Sequence, residues 1–447
     1  MEWKNETGAR NEIKSLVERY YRDFKKESSF VPWETSINYS GRIFDEKEMC
    51  SLTDALLDFW LTAGRYAEEF EKKLASYIGV KFAHLVNSGS SANLVAFSAL
   101  TSPQLGERRI QKGDEVICVA CAFPTTVAPI VQNGAVPVFM DVTIPQYNID
   151  VTLLEEAVSD RTKAVFIAHT LGNPFDIGGV KAFCERHQLW LIEDNCDALG
   201  SEYTIKNETR KTGAWGDIST CSFYPPHHIT MGEGGAVCTD NPLLSRIILS
   251  YRDWGRDCIC SPGTDNYCGH RFDGEYGKLP SGYDHKYIYS NLGYNLKATD
   301  MQAAIGCAQI EKLPGFVETR KKNWGYLRDA LSDFSDVLVL PELCSNSDPS
   351  WFGFLITMRG NAKTSRNEMI RYLESKGIQT RLLFAGNITR QPCFDRLDEG
   401  KDYRIVGSLE NTDRIMNDSF WVGVYPGLDE TRLEYMVEMI RKAIRQA

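Results

Sequence analysis

Between residues 82 and 223 short apolar runs alternate with helical stretches, and this alternation restricts the chain to a narrow set of folds. The apolar runs are 82–86 (FAHLV), 115–120 (EVICVA), 136–140 (VPVFM), 163–168 (KAVFIA), 189–193 (LWLIE) and 219–223 (STCSF). Helical stretches lie between them near 91–101, 124–133, 151–159 and 177–187. Strands of near-continuous apolar character separated by helices indicate βαβ units, hence a mostly parallel central sheet buried on both faces. In such sheets ligands gather at the carboxyl ends of the strands, so those positions are the ones to search.

Helices flank this unit. Ile13, Val17, Tyr20, Tyr21 and Phe24 recur at helical spacing, and Phe70, Leu74 and Ile78 mark a helix that stops at Gly79. Residues 255–290 show no period and are rich in Gly, Pro, Asp, Tyr and Cys, which marks a long functional loop. Helices resume at 299–312 and 316–333. Strands near 351–358, 379–384 and 420–424 and a helix at 429–446 then read as a smaller α+β domain. The expected division is a helical segment 1–60 packing with the small domain, a large α/β domain 61–325, and a C-terminal domain 326–447.

The 447 residues carry a net charge of −10, so no overall field favours nucleic acid or an anionic membrane. No secretory h-region opens the chain and no uncharged run of about 18 apolar residues occurs, so a soluble cytoplasmic protein is expected. Thirteen cysteines, an odd number, argue against a disulfide framework and leave buried thiols, a reactive thiol or a metal site.

Four segments follow predicted strands. Asn87-Ser88-Gly89-Ser90-Ser91-Ala92 places small residues at a helix start, which suits a phosphate, although Ser/Gly turns commonly do no more than cap helices. Ala122-Phe123-Pro124-Thr125 ends a strand in an aromatic, which taken alone is ordinary core. Glu193-Asp194-Asn195-Cys196-Asp197 puts acids at the end of a buried strand, where they need partners: a salt bridge or a protonated heterocyclic nitrogen. Ser222-Phe223-Tyr224-Pro225-Pro226-His227-His228 crowds two histidines, a serine and a tyrosine into a Pro-shaped turn.

This order of phosphate turn, aromatic, strand-end Asp and Ser-x-x-Pro-x-X resembles the sugar aminotransferases of pyridoxal phosphate (PLP) fold type I, the aspartate aminotransferase-like fold. Gly293-Tyr294-Asn295-Leu296-Lys297 and Asp300-Met301-Gln302-Ala303-Ala304 extend the likeness. The resemblance implies that the Asp pairs with the pyridine nitrogen and that X is the lysine holding PLP covalently. Here X is His227. Imidazole forms no Schiff base, so the expected cofactor is pyridoxamine phosphate (PMP), held non-covalently. His227 is then the base, and the expected reaction is dehydration of a keto-sugar.

Cys258, Cys260 and Cys268 give the spacing C-x-C-x7-C, with Cys196 the attractive fourth ligand because it lies in the cofactor motif. By spacing alone zinc, an iron–sulfur cluster and unligated thiols all remain open.

The histidine and the cysteine loop together resemble the CDP-4-dehydro-6-deoxy-D-glucose 3-dehydrase family of 3,6-dideoxyhexose biosynthesis. The stretches FYPPHHITMGEGG, RDWGRDCIC, GYDHKYIYSNLGYNL, DPSWFGF and RLLFAGNITRQP carry that likeness. It implies a PMP and 2Fe-2S enzyme acting on CDP-4-keto-6-deoxy-D-glucose in lipopolysaccharide O-antigen synthesis. His227 would be the base, with Tyr224, Asp197 and Phe352 in the same pocket. Asp194 would hold the pyridine nitrogen and Phe123 would stack on the ring. Gly89, Ser90, Ser91 and Ser222 would hold the phosphate, with Asn295 supplied across a homodimer. Cys196, Cys258, Cys260 and Cys268 would ligate the cluster.

No clear G-x-G-x-x-G turn follows the first strand, so electrons are expected from a separate reductase; the resemblance implies that this is an NADH-dependent flavin iron–sulfur protein. The rival readings are a PLP-dependent aminotransferase using another lysine, a cluster-free PMP dehydrase acting on a GDP-sugar, and a non-catalytic protein.

Overall fold

The structure is a computed structural model and describes residues 3–25, 30–258, 260, 263–267 and 269–445. Three helices lead into the sheet: α1 (Glu6–Phe24), α2 (Glu46–Asp58) and α3 (Arg65–Ile78). Gly79 ends α3 at φ +89°, the left-handed turn that its missing Cβ allows. The alternating unit follows as β1 (Phe82–Val86), α4 (Gly89–Ala99), β2 (Glu115–Val119), α5 (Pro124–Gln132), β3 (Val136–Met140), α6 (Leu154–Ala157), β4 (Thr162–Ala168), α7 (Ile177–His187) and β5 (Trp190–Asp194). The hairpin β6 (Glu202–Ile205) and β7 (Glu208–Lys211) precedes β8 (Ile218–Ser222), β9 (Gly235–Thr239) and α8 (Pro242–Arg252).

The last third of the chain holds α9 (Asp300–Ala330), β10 (Leu338–Val339), β11 (Ser347–Asp348), β12 (Gly353–Met358) and α10 (Arg366–Ser375). It ends with β13 (Arg404–Ile405), α11 (Glu410–Asp418), β14 (Ser419–Gly423) and α12 (Glu430–Arg445).

Among the described residues the main sheet has eight strands in the order β1-β9-β8-β5-β4-β2-β3-β13. Only β9 runs antiparallel to its neighbours β1 and β8. Every residue of β2, β3, β5 and β8 is buried, which accounts for their unbroken apolar character. One core lies under α4, α5 and α7; a second, on the other face, joins α3 and α9 to β1, β8 and β9. Within the second, Phe70 meets Phe223 edge-on at 5.1 Å, each ring fully buried and contributing about 2–3 kcal/mol by its area.

A third core fills the C-terminal unit around the antiparallel strands β10-β12-β14. Phe30, Ile37 and Ile43 pack into it, while α1 itself leans on α2. No helix among the described residues is long and apolar enough to cross a membrane.

Several expectations are corrected. Residues 299–312 and 316–333 form one 31-residue helix, α9, that passes through Pro314 without a break. The strand expected at 379–384 is reduced to a single bridge between Arg381 and Trp421. The pairing strand β9 was not anticipated, nor were α2 and α8.

Candidate active site

The site lies where the carboxyl ends of β1, β5 and β8 meet. Ser222 pairs with Gly235, and Gly235 pairs with Val86, so β9 brings the end of β8 beside the start of α4. This approach needs glycine: a Cβ on Gly235 would lie 2.3 Å from the Ser88 carbonyl oxygen. A Cβ on Gly89 would lie 2.4 Å from the Cβ of Ser222. Ser88 caps α4 by accepting from the Ser91 N–H at 3.0 Å. The first-turn N–H groups of Gly89 and Ser90 have no intrahelical acceptor. With the Ser222 hydroxyl they form a cradle that suits a phosphate at a helix N-terminus.

Asp194 ends β5 and is 4% exposed. Its Oδ2 accepts from Asn93 Nδ2 at 2.8 Å and Thr126 Oγ1 at 2.7 Å, and its Oδ1 accepts from the Cys196 N–H at 3.2 Å. Among the described residues it pairs with no cation, so the salt-bridge reading fails for Asp194. Three neutral donors leave acceptor capacity on a buried carboxylate, which fits a protonated ring nitrogen. The neighbouring Glu193 is the structural acid: it takes His169 Nε2 at 3.0 Å and the N–H groups of Gly213, Trp215 and Gly216.

Phe123 is not core. It is half-exposed, lines the cavity and meets Phe384 edge-on at 6.4 Å.

The turn after β8 carries the candidate base. Nε2 of His227 lies 3.3 Å from Asp197 Oδ1. The ring of Phe352 sits 5.2 Å from the His227 ring and that of Tyr224 6.2 Å away. All these residues line one cavity of about 420 Å³, large enough for a cofactor with part of a sugar substrate. No lysine among the described residues lines it.

The C-terminal unit closes the cavity with Arg381, Leu382, Phe384 and Trp421, which sequence reasoning did not single out as site residues. The quoted stretch RLLFAGNITRQP contains three of them and was the available signal. Arg320 was also missed. It is 1% exposed and donates to the carbonyl oxygens of Trp351, Phe352 and His227 at 3.3–3.4 Å. Burial lowers its pKa to about 9, a shift that Asp197 partly offsets. In sequence it reads as one more charge in a solvated run.

Asn295 does not line the cavity; it accepts from Lys297 Nζ at 2.8 Å and bridges to Asp253. The cysteines are divided. Cys196 lines the main cavity, and burial followed by the Asp194 carboxylate pushes its thiol pKa well up. Cys258 and Cys260 line a separate small pocket with Arg271 and His285. Cys268 lies outside the described residues. Among the described residues no three His, Cys, Asp or Glu side chains gather to hold a metal ion. The described cysteines therefore do not by themselves form a cluster site.

Residues 42–441 match the model of the DegT/DnrJ/EryC1/StrS aminotransferase family. The lipopolysaccharide biosynthesis protein RfbH of Salmonella typhimurium is 53% identical over 428 residues, 96% of each chain. A dTDP-4-dehydro-2,6-dideoxy-D-glucose 3-dehydratase from Saccharopolyspora spinosa is 48% identical over 439 residues, 98% of this chain and 93% of that one. The solved Escherichia coli GDP-4-keto-6-deoxy-D-mannose-3-dehydratase with bound hydrated PLP superposes with TM-score 0.80 at 28% identity, covering 91% of this chain and all of that one. The fold is the PLP-dependent transferase fold type I that the resemblance implied. The chain belongs to the DegT/DnrJ/EryC1/StrS aminotransferase family.

Proposed function

We propose that this protein is a sugar 3-dehydratase that uses PMP held without a covalent bond. The observation that carries this reading is His227 at the family's lysine position, in a cavity that no lysine among the described residues lines. The glycine-dependent cradle and Asp194, which pairs with no cation among the described residues, line the same cavity and support a place for the cofactor's phosphate and for its ring nitrogen. Gly89, Ser90, Ser91 and Ser222 would hold the phosphate, Asp194 the ring nitrogen, and Phe123 one ring face.

When bound, PMP supplies an amine that condenses with a ketone and a pyridinium ring that acts as an electron sink. His227 Nε2 takes the proton from the acidified carbon, and Asp197 stabilises the imidazolium that results. Tyr224 and Phe352 hold the imidazole in place, and the C3 hydroxyl leaves as water, taking the proton that the His227 imidazolium returns.

The substrate in this reading is CDP-4-keto-6-deoxy-D-glucose; loss of water alone leaves an unsaturated sugar, and two electrons from the NADH-dependent reductase named below complete the 4-keto-3,6-dideoxy sugar of lipopolysaccharide synthesis. The CDP group rests on the family stretches quoted above; relatives are named for dTDP- and GDP-sugars. Arg381, exposed at the cavity and stacked 3.9 Å over Tyr39, is available to the diphosphate. Turnover of the CDP-, dTDP- and GDP-activated 4-keto-6-deoxy sugars, compared side by side, tests the reading. Transamination without loss of the C3 hydroxyl would refute it.

The redox half is a 2Fe-2S cluster on Cys196, Cys258, Cys260 and Cys268, served by an NADH-dependent flavin iron–sulfur reductase in a cytoplasmic homodimer. It rests on the cysteine spacing and the resemblance. Iron and acid-labile sulfide in anaerobically purified protein test it; stoichiometric zinc without sulfide would remove it.

A further inference from the structure

Behind the His227 turn lies a second, small cavity, distinct from the one described above. His227, His228 and Arg320 all line it, and a water's centre has about 10 Å³ to occupy there, room for one molecule. Each of the three presents a buried nitrogen with no hydrogen-bond partner: His227 Nδ1, His228 Nδ1 and Arg320 Nε. His228 and Arg320 are 2% and 1% exposed. Buried polar atoms are nearly always satisfied by protein or ordered water, and these three orphans belong to residues that line one water-sized space.

We propose that this cavity holds one structural water that joins His227 Nδ1, His228 Nδ1 and Arg320 Nε, making His228 and Arg320 positioning residues for the base.

The donor and acceptor inventory supports this assignment. His228 Nε2 lies 2.6 Å from the Ser350 carbonyl oxygen, which can only accept, so Nε2 carries the hydrogen. Burial, with Arg320 nearby, pushes the His228 pKa well down, so the ring is neutral and its Nδ1 is a fixed acceptor. Arg320 spends its terminal nitrogens on the three carbonyls, which leaves Nε–H as a fixed donor.

A water between them gives one hydrogen to His228 and takes one from Arg320. It keeps one hydrogen and one lone pair, and either suits His227 Nδ1. The lone pair serves the base both as neutral imidazole with its hydrogen on Nδ1, which leaves Nε2 free to take a proton, and after protonation, when Nδ1–H still donates. The other charged or titratable groups facing His227 are Asp197, Arg320 and Tyr224.

The water does not depend on the proposed reaction; its effect on turnover does. A crystal structure of the intact protein should show one ordered water within hydrogen-bond distance of all three nitrogens. An empty cavity, or Nδ1 of His227 bonded directly to protein, overturns the proposal. In solution, His228→Phe keeps the ring volume but loses the acceptor, and kcat should fall about tenfold, the loss of one buried hydrogen bond, while KM stays within about twofold. His228→Gln keeps one donor for Ser350 and one acceptor for the water, and should recover most of that loss. Equal losses in both variants, or a loss confined to KM, overturn the positioning role. Finding the water without dehydration of any nucleotide sugar would keep the water and reject the proposed function.

Discussion

Nε2 of His227 and Oδ1 of Asp197 lie 3.3 Å apart in the cavity wall. A carboxylate at that distance does little for a neutral imidazole and much for a protonated one. Asp197→Asn keeps the shape and removes the charge. Turnover should fall about 100-fold, the scale of a weakened general base. Bound vitamin, read by absorbance, should be retained, because Asp197 does not belong to the phosphate cradle or the ring-nitrogen site.

Because no lysine among the described residues lines the cavity, borohydride treatment of the resting protein with PLP should leave no pyridoxyl-lysine on peptide mapping. His227→Lys puts an amine into the same turn. That variant should acquire the adduct at position 227 and lose dehydration. An adduct on any lysine of the unsubstituted protein would refute non-covalent binding.

The buried strands were readable because both faces of the sheet are covered, which leaves an apolar signal at every position rather than at alternate ones. Gly79 and the helix before it were equally legible. Pro314-Gly315 misled because both residues ordinarily end a helix; α9 is packed against α2 and α3 along this region, and tertiary contact overrides the local signal. Residues 379–384 were apolar enough for a strand, yet Leu382 and Phe384 face the cavity instead of pairing. The structure brings into one cavity residues whose chemistry is visible in their type: Asp194, His227 and the Ser/Gly turn. Asn93, Thr126 and Arg320 were missed because they act on other side chains or on carbonyl groups across the fold. No local spacing reports such contacts.

The cradle is sterically tight at Gly89. An added Cβ would sit 2.4 Å from Ser222 Cβ and 2.8 Å from its Oγ. Gly89→Ala should therefore destabilise the fold by about 1–3 kcal/mol and weaken phosphate retention, measured by thermal unfolding and by equilibrium dialysis of PMP. Ser222→Gly removes both clashing atoms, so the double variant should recover Tm without recovering PMP affinity.

Thr126 Oγ1 and Asn93 Nδ2 both donate to the same oxygen of Asp194. Thr126→Val removes one donor from a buried carboxylate at nearly constant volume. It should cost about 1–3 kcal/mol and, by loosening Asp194, lower PMP affinity several-fold while kcat at saturating cofactor changes less. Dialysis and turnover measured together separate the two effects.

Acid stability should report His84, which is buried on β1 with Nε2 2.8 Å from Ser245 Oγ. Burial, with Arg252 adding to it, pushes its pKa down from 6.5 to about 3. The folded state therefore binds fewer protons than the unfolded state between those two values. The stability this neutral ring contributes is complete above pH 6.5 and is lost progressively as pH falls towards 3, at about 1.4 kcal/mol per pH unit. His228, also held neutral by burial, adds a slope of the same sign. Only the difference between variants isolates one ring. His84→Gln removes the titration, so between pH 6.5 and 5 the variant should lose about 2 kcal/mol less than the parent, whatever its stability at neutral pH. Urea unfolding at the two pH values measures this, and parallel losses in the two proteins would show that His84 does not titrate on unfolding.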